Sequence, residues 1–490
     1  MKKFAKNVTL LIFSLLSFAN LAVANNYDSI EYSLSLANIQ ESVLKVEVTL
    51  KGKFEDKLIL NLPSKWAGTS YIKQITNVQV SSNANHAKLA LIEKDDTYQA
   101  IIGIPNLSDQ IKISYEIHQK PDNPSNVHEA IIRDNLVHAP GYGIFATPDD
   151  LSETTKIRMI INWRAFNQSW KTISSYGISS SLNLNITVPE LLHAVYVAGK
   201  IRIYKISDHP NPVFLSLYEH FDIEDQKIVS DLSKIINSQK AFFNDFDFQY
   251  YAISLIEGDD PSSMGGTMLF NCFSAFLPKG VRTADYYMLF AHEHLHNWIG
   301  GGKIRNNEDE ELNYWWTEGF TEFYSRLIAL RSGGIDAENF IKESNQLLRQ
   351  YYLSPVNRES NLRIKKDFWK NHDIEKLPYY RGFVFAIYLN NMIKQQNHMH
   401  SLDNVMHDLF QIAPTHRFSS TLFKNIARRY MKGGIENEFS NFIDQGHLIS
   451  LANIKLPMEK IFVDKIEVYQ LKEILSKNEK QPFNDFFGIK

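Results

Sequence analysis

The sequence predicts a multidomain α+β protein with an amino-terminal antiparallel, β-sandwich-like domain at 25–220, a mixed central domain at 221–335 and a helical domain at 336–455. Two observations lead to this division. Short runs in which apolar and polar residues alternate dominate the first part, as in strands with one solvent-exposed face. Beyond residue 222, apolar residues recur at helical spacing. A chain of 490 residues that is 44% apolar can bury several cores.

The first 24 residues have the pattern of an export signal. Three lysines precede an apolar run at 8–18, and Ala22-Val23-Ala24 forms a small-residue cleavage site. An uncleaved membrane anchor is the alternative, but the apolar run is short and interrupted by Ser14 and Ser17. We therefore expect an exported protein, periplasmic or secreted, with no stable membrane insertion after signal cleavage.

Composition argues against a nucleic-acid partner and excludes an intramolecular disulfide. The formal charge is −3, and no basic stretch suggests a surface for nucleic acid. Cys272 is the only cysteine, so an intramolecular disulfide is impossible. The oligomeric state is left open.

The predicted β-domain rests on several alternating runs. Val46, Val48 and Leu50 alternate with polar residues, and the segments 111–117 and 182–188 repeat the pattern. Period-two alternation in segments separated by Asn, Asp, Gly and Pro indicates an antiparallel, sandwich-like arrangement.

The central domain is predicted to begin with a helix after an acidic turn at 222–225. A strand at 250–256 and a second short strand at 267–270 then lead to a helix at 283–299. A sheet edge beside such a helix is a suitable template for an extended peptide.

The remaining chain is predicted to be mostly helical. Apolar spacing indicates helices at 340–351, 381–394, 402–410 and 420–431, which we expect to form the far wall of a cleft. The segment 456–490 shows no clear pattern and is left as a tail of unclear structure.

The predicted helix at 283–299 contains the pattern HExxH. His292 and His296 are four residues apart, so both imidazoles point the same way and can reach one cation. Glu293 projects beside them, placed to take a proton from an attacking water. His294 faces another side of the helix, and we expect it to be a surface or packed residue.

A third ligand must come from elsewhere. Glu318 is the candidate, with Glu322 as a rival one turn further on. Two histidines and one carboxylate leave a fourth zinc position open, as a catalytic site requires. We expect one Zn²⁺ per chain, although other divalent ions also suit these ligands.

Three stretches together carry a family resemblance: HExxH, W-x-x-E-G-F-T at 315–321, and Pro-Tyr-Tyr-Arg-Gly-Phe at 378–383. They resemble the gluzincin zinc metallopeptidases, most of all the glycyl aminopeptidase family, to which aminopeptidase N is related. The stretch 60–71 is similar to part of that family's amino-terminal domain. The resemblance implies a thermolysin-like catalytic domain, a peptide or protein substrate, and Glu318 as the third ligand.

The resemblance also implies an oxyanion donor. Tyr379 matches the tyrosine of the family's Y-x-K-G pattern, with Arg381 in place of the lysine, and we expect Arg381 to bind substrate. A phenol near a cation is a strong donor where negative charge develops. The residues alone do not distinguish Tyr379 from Tyr380.

One departure from the family affects substrate choice. Its aminopeptidases carry Gly-Gly-x-Glu, whose glutamate pairs with the substrate's free amine. Here Gly265 and Gly266 are followed by Met268 at that position, which cannot pair with an ammonium by charge. We expect all three to bind substrate, and we leave open whether cleavage is at the amino terminus or within the peptide.

The sequence therefore predicts an exported zinc metallopeptidase with Glu293 as general base. Two alternatives remain. One is a catalytically inactive, exported peptide-binding adaptor, although such a protein needs neither Glu293 nor Tyr379. The other is a hydrolase of a non-peptide substrate.

Overall fold

The computed structural model describes residues 26–489 apart from 39–41, 67, 83–86, 95, 120–127, 165, 168, 208–210, 247–249, 259–263 and 308–309. The predicted signal peptide lies outside the described residues. Within them, no helix is both long enough and apolar enough to cross a membrane.

The described part of the amino-terminal region consists of fourteen strands, one short α-helix, α1 (Val188–Leu192), and two 3-10 turns at Ile72–Gln74 and Gly141–Gly143. The strands are β1 (Tyr27–Asn38), β2 (Val43–Asn61), β3 (Lys65–Trp66), β4 (Thr69–Ser70), β5 (Ile75–Ser82), β6 (Lys88–Lys94), β7 (Thr97–His118), β8 (Ile131–Arg133), β9 (Leu136–Pro140), β10 (Thr147–Pro148), β11 (Ile157–Trp163), β12 (Lys171–Ser174), β13 (Ser181–Ile186) and β14 (Val195–Gly199).

These strands form a sandwich, as predicted. An eight-stranded sheet contains the path β13-β11-β1-β2-β7-β5, and a four-stranded sheet has the order β12-β14-β9-β8. Two of the alternating runs pair directly, since Val48 lies opposite Ile113 and Leu50 opposite Ile111. Their buried side chains share one core with residues of the smaller sheet, such as Val137 and Tyr196. Alternation thus places the apolar face of each strand between the sheets.

The central sheet corrects the predicted boundary at residue 220. It has five strands in the order β15-β16-β17-β19-β18, namely β15 (Arg202–Ser207), β16 (Val213–Tyr218), β17 (Tyr251–Gly258), β18 (Gly265–Leu269) and β19 (Cys272–Pro278). β15 and β16 therefore belong to the central region, although they were predicted within the β-domain. The alternating pattern of a strand does not indicate which sheet the strand joins. That depends on tertiary contacts, here the pairing of β16 with β17.

Helices cover the inner face of this sheet and continue to the end of the chain. They are α2 (Asp225–Phe243), α3 (Thr283–Leu295), α4 (Tyr314–Thr317), α5 (Gly319–Arg331), α6 (Ala337–Leu353), α7 (Asn361–Asp367), α8 (His372–Gln396), α9 (Leu402–Ile412), α10 (Ser420–Ala427), α11 (Glu436–Phe439) and α12 (Lys477–Phe487). A small parallel pair, β20 (Ile299–Gly300) and β21 (Ile304–Arg305), follows α3. One core runs from Val213 to Phe487, so the predicted central and helical domains are not separated by a break in packing.

The tail at 456–490, whose structure was left unclear in the prediction, is folded onto α6. β22 (Met458–Val463) and β23 (Ile466–Leu471) form a hairpin before α12. Asn345 joins the hairpin to α6 through both its amide atoms, donating to the carbonyl of Leu471 at 2.8 Å and accepting from its N–H at 2.7 Å. Arg331 donates to the carbonyl of Phe487 at 2.7 Å. The tail is therefore part of the helical body.

Candidate metal centre and catalytic cleft

Helix α3 carries the HExxH residues in the interior of the molecule. It spans Thr283–Leu295, with Arg282 as its N-cap and His296 as its C-cap. Tyr286, Phe290 and Leu295 fix it against the central sheet and neighbouring helices, because all three are fully buried in the main core. The helix ends at Leu295, earlier than the predicted 299, yet both histidines keep the helical spacing on which the prediction depended.

Three side chains meet in the arrangement that a tetrahedral zinc ion needs. His292 Nε2 lies 3.1 Å from His296 Nε2 and 3.2 Å from Glu318 Oε2, and the third distance, His296 Nε2 to Glu318 Oε2, is 3.6 Å. Tetrahedral ligands about 2.0–2.1 Å from zinc are separated by roughly 3.3 Å. His292, His296 and Glu318 are thus a geometrically suitable metal site.

Outer partners hold the two histidines with Nε2 directed at the site. His296 Nδ1 lies 3.1 Å from the carbonyl oxygen of Ile299, to which it is placed to donate. His292 Nδ1 lies 3.3 Å from Glu322 Oε1, and Glu322 in turn accepts from Arg326. Carboxylate and carbonyl partners of this kind fix the orientation of metal-binding imidazoles. Glu322, considered from sequence only as a rival ligand, therefore lies behind His292 instead.

The carboxylates give the site a negative potential. Burial alone lowers the pKa of His292, but Glu322 and Glu318 outweigh it and raise that pKa to about 10. Burial disfavours the charged form of Glu322, yet Arg326 and His292 lower its pKa to about 2. Likewise, the two histidines lower the pKa of Glu318 in spite of its burial. A site that draws protons onto its imidazoles is suited to a bound cation.

Glu293 lies beside the three candidate ligands and under the edge strand of the sheet. A Cβ atom added to Gly266 would lie 2.6 Å from Glu293 Cγ and 2.8 Å from its Oε1, whereas one added to Gly265 would meet nothing within 4 Å. Gly266 is therefore needed for the close approach of β18 to Glu293. Burial raises the pKa of Glu293, which favours its acting as a base and then as an acid.

The same edge strand carries Met268. Its thioether is directed at Gly301 after α3, since a Cβ added there would lie 1.9 Å from Met268 Cε. Gly265, Gly266 and Met268 all line the cleft in front of the metal site. The structure thus places the three predicted substrate-binding residues of β18 on one wall of the cleft.

A crossing between two helices brings Tyr379 to the site. A Cβ on Gly319 would lie 2.3 Å from Gly382 Cα, and one on Gly382 would lie 1.9 Å from the carbonyl oxygen of Trp315. The two backbones touch only because both residues are glycine. This contact explains why the E-G-F and R-G-F stretches belong together: Glu318 directly precedes one glycine, and Tyr379 lies one helical turn before the other.

The ring of Tyr379 stacks on that of His292, with 6.1 Å between centroids and 15° between planes. Tyr380 also lines the cleft, but unlike Tyr379 it also lines the neighbouring cavity beside α6. Burial and Glu322 raise its pKa to about 12. Burial, Glu318 and Glu293 raise the pKa of Tyr379 well above the usual value, so its hydroxyl keeps its proton and can donate. Tyr379 is therefore the better placed of the two.

The predicted substrate contact of Arg381 is wrong. Its side chain is fully buried, and Nη2 donates to the carbonyl oxygens of Glu359 at 2.6 Å and Asn357 at 3.3 Å. Since successive helical residues point about 100° apart, a residue two positions after Tyr379 faces the helical interior instead of the cleft. Arg381 fixes the segment before α7.

Several cleft residues had no signal in the sequence. His128 reaches the cleft from the amino-terminal region, while Trp369, Glu375 and Glu310 come from loops or helix ends. Each follows an unremarkable local pattern, so only the tertiary structure brings it to the cleft. Glu310 belongs to an acidic run at 308–311, of which residues 308–309 lie outside the described residues.

The fold and this arrangement of side chains agree with the predicted resemblance to gluzincin peptidases. Two models of one family match the chain: residues 285–382 are similar to the M61 glycyl aminopeptidase domain, and residues 31–176 are similar to the M61 peptidase amino-terminal domain. The predicted resemblance to glycyl aminopeptidases is thereby confirmed. No protein with a curated description matches the sequence.

Solved structures of the aminopeptidase N family have the same fold. One from Idiomarina loihiensis is 16% identical and covers 88% of this chain and 79% of its own, with a TM-score of 0.74. An M1 zinc metallopeptidase from Deinococcus radiodurans is 12% identical, covering 88% of this chain and 96% of its own at a TM-score of 0.54. A variant of that enzyme bound to a Tyr-Ser-Ala substrate gives a TM-score of 0.53 at 12% identity, covering 87% and 95%.

Proposed function

We propose that this protein is an exported, zinc-dependent peptidase in which Glu293 is the general base and Tyr379 stabilises the oxyanion. The observation that carries the proposal is the meeting of five side chains in one cleft of about 800 Å³: His292, His296 and Glu318 at ligand spacing, with Glu293 and Tyr379 beside them. A binding protein has no need of a buried base next to a metal site.

Each side chain has a separate role in the proposed reaction. His292, His296 and Glu318 would hold a zinc ion, which would supply Lewis-acid activation of water and of the scissile carbonyl. The Glu293 carboxylate takes a proton from the attacking water and passes it to the departing amine, which fits a carboxyl group whose pKa is raised by burial. The Tyr379 hydroxyl, protonated in its buried position, donates to the oxyanion of the tetrahedral intermediate.

The edge strand β18 is proposed to position the substrate. Gly265 and Gly266 allow a peptide backbone to approach as an added strand, and Met268 presents a thioether near Gly301. Because Met268 carries no charge, binding does not depend on a free substrate amine at this position. Cleavage inside peptides is therefore included in the proposal along with removal of amino-terminal residues.

The mature protein tests this proposal directly. Incubated with a mixed peptide library, it is expected to cut peptides in a reaction that a chelator abolishes and added Zn²⁺ restores. Glu293→Gln is expected to lower kcat about 10²–10⁴-fold, the usual range for losing general base catalysis, while its zinc content stays that of the native protein. The positions of the new termini distinguish exo from endo cleavage.

Two results would refute the peptidase proposal. Peptide binding without chelator-sensitive cleavage would favour the adaptor, and cleavage of esters but not of peptides would favour a non-peptide hydrolase. Glu343→Gln serves as the matched control, since Glu343 lines the same cleft and is buried but makes no contact with the metal site. Export is checked separately, by fractionation and by an expected mature amino terminus at Asn25.

A further inference from the structure

A second, larger cavity opens beside the catalytic cleft. It measures about 1250 Å³ and lies between α6, the first turns of α8 and the tail segment 473–484. We call it the tail groove. It exceeds the roughly 300–1,000 Å³ typical of pockets for a single small molecule, which favours an extended ligand.

The tail groove is continuous with the catalytic cleft. Gln346 and Gln350 of α6 and Lys376 and Tyr380 of α8 line both spaces. Tyr380 is the residue after Tyr379, so the junction lies next to the proposed oxyanion donor. A chain leaving the cleft on this side enters the tail groove directly.

The outer wall of the tail groove is held in place by the tail. Besides the contacts of Asn345 and Arg331 described above, Arg349 Nε donates to Gln470 Oε1 at 2.8 Å, and Phe483 and Phe487 pack on Phe340 of α6. A wall anchored in this way costs little to organise when a ligand binds.

The lining matches the mixed chemistry of a peptide. The lining includes the apolar side chains of Ile341, Leu353 and Ile474. It also includes the charged side chains of Lys342 and Glu338, and amide side chains such as that of Asn345. Ile474 is a large apolar residue, yet it is 86% exposed. An exposed isoleucine at the rim of a groove is available to cover an apolar part of a ligand.

We propose that the tail groove binds the distal residues of a peptide whose scissile bond lies in the catalytic cleft. The inference rests on the proposed peptidase function and adds a substrate class to it, namely peptides long enough to reach beyond Tyr380. Binding energy gained far from the reacting bond then raises kcat/KM for long substrates over short ones.

The test compares a peptide of about three residues with one of about twelve, which span roughly 10 and 40 Å when extended. The native protein is expected to show the higher kcat/KM with the long peptide. Ile474→Asp and Lys342→Glu are each expected to lower the ratio of long to short kcat/KM about five-fold or more. Met399→Asp is the matched control, because Met399 is 75% exposed but lines neither space.

A binding measurement separates this inference from the proposed function. Fluorescence anisotropy of the labelled long peptide, measured in the Glu293→Gln background, is expected to show several-fold weaker binding when Ile474→Asp is added. If the native protein cleaves the short peptide but neither groove substitution changes the ratio or the binding, the tail groove proposal is overturned and the peptidase stands. If nothing is cleaved but groove-dependent binding persists, the peptidase proposal fails and the groove stands.

Discussion

Two faces of helix α3 carry the same residue type in opposite electrostatic surroundings. On the cleft face, Glu322 and Glu318 raise the pKa of His292 to about 10 in spite of burial. On the packed face, His294 lies against Gln239 at 2.7 Å and edge-on to Trp298, and burial together with Lys240 lowers its pKa to about 3. Both histidines are buried. The difference between the two pKa values therefore comes from the side chains that other helices and strands place opposite each face of α3.

This contrast shows that one short helix can carry candidate metal ligands on one face and core-packing residues on the other. The cleft face meets α5 and α8, which supply carboxylates and a phenol, whereas the packed face meets α2 and β17, which supply an amide and aromatic rings. A histidine on the first face is placed to hold a cation. A histidine on the second face stays neutral and acts as a hydrogen-bonded core residue, as was expected of His294.

Among three substitutions that test this contrast, the largest effect is expected at the cleft face, from Tyr379→Phe. Removing one oxyanion donor typically lowers kcat about 10²–10³-fold, and the stacked ring of Tyr379 remains in place to preserve packing on His292. Steady-state kinetics with a short peptide measure the change. Tyr380→Phe, the adjacent residue in the same cleft, is the control and is expected to change kcat only a few-fold. Equal losses in the two variants would mean that the two hydroxyls share the role.

The sequence predicted the cleft face of α3 better than the elements opposite it. HExxH places His292 and His296 by helical periodicity alone, which is a local property. Glu318 was selected from two candidates with the help of a family resemblance, because its approach depends on the tertiary crossing at Gly319 and Gly382. Arg381 was misassigned for the same reason: its neighbour Gly382 is at the crossing, and the sequence does not show which way the side chain turns.

The same limit applies to larger units. β15 and β16 have the alternation of strands, but nothing local tells which sheet they join. The tail at 456–490 has few long apolar runs, and its order comes from docking on α6, through contacts such as Asn345 with Leu471. The tail groove forms only where the tail docks beside α6 and α8, so it was not predictable from the sequence.

An intermediate effect is expected from Glu322→Gln, which weakens the support behind His292 without removing a ligand. Loss of such an outer carboxylate typically lowers metal affinity about 10–100-fold. Competition with a zinc chelator measures the affinity. Glu375→Gln is the matched control, because Glu375 lines the cleft and pairs with Lys376 at 2.7 Å but makes no contact with the ligands. If both variants bind zinc with native affinity, the contact of Glu322 with His292 contributes nothing to metal binding.

The smallest effect is expected on the packed face, in the pH dependence of stability with metal removed. His294 has a folded pKa of about 3 against an unfolded value of about 6.5, so above pH 6.5 neither state binds its proton. As the pH falls below 6.5 only the unfolded state is protonated, and stability decreases, by on the order of 2 kcal/mol at pH 5. Urea unfolding of His294→Gln should therefore show a shallower loss between pH 6.5 and 5 than the native protein, whereas the exposed His398→Gln should match the native slope. Identical slopes for all three proteins would show that the packed face of α3 tolerates a charged imidazole, and the electrostatic contrast between the two faces would no longer hold.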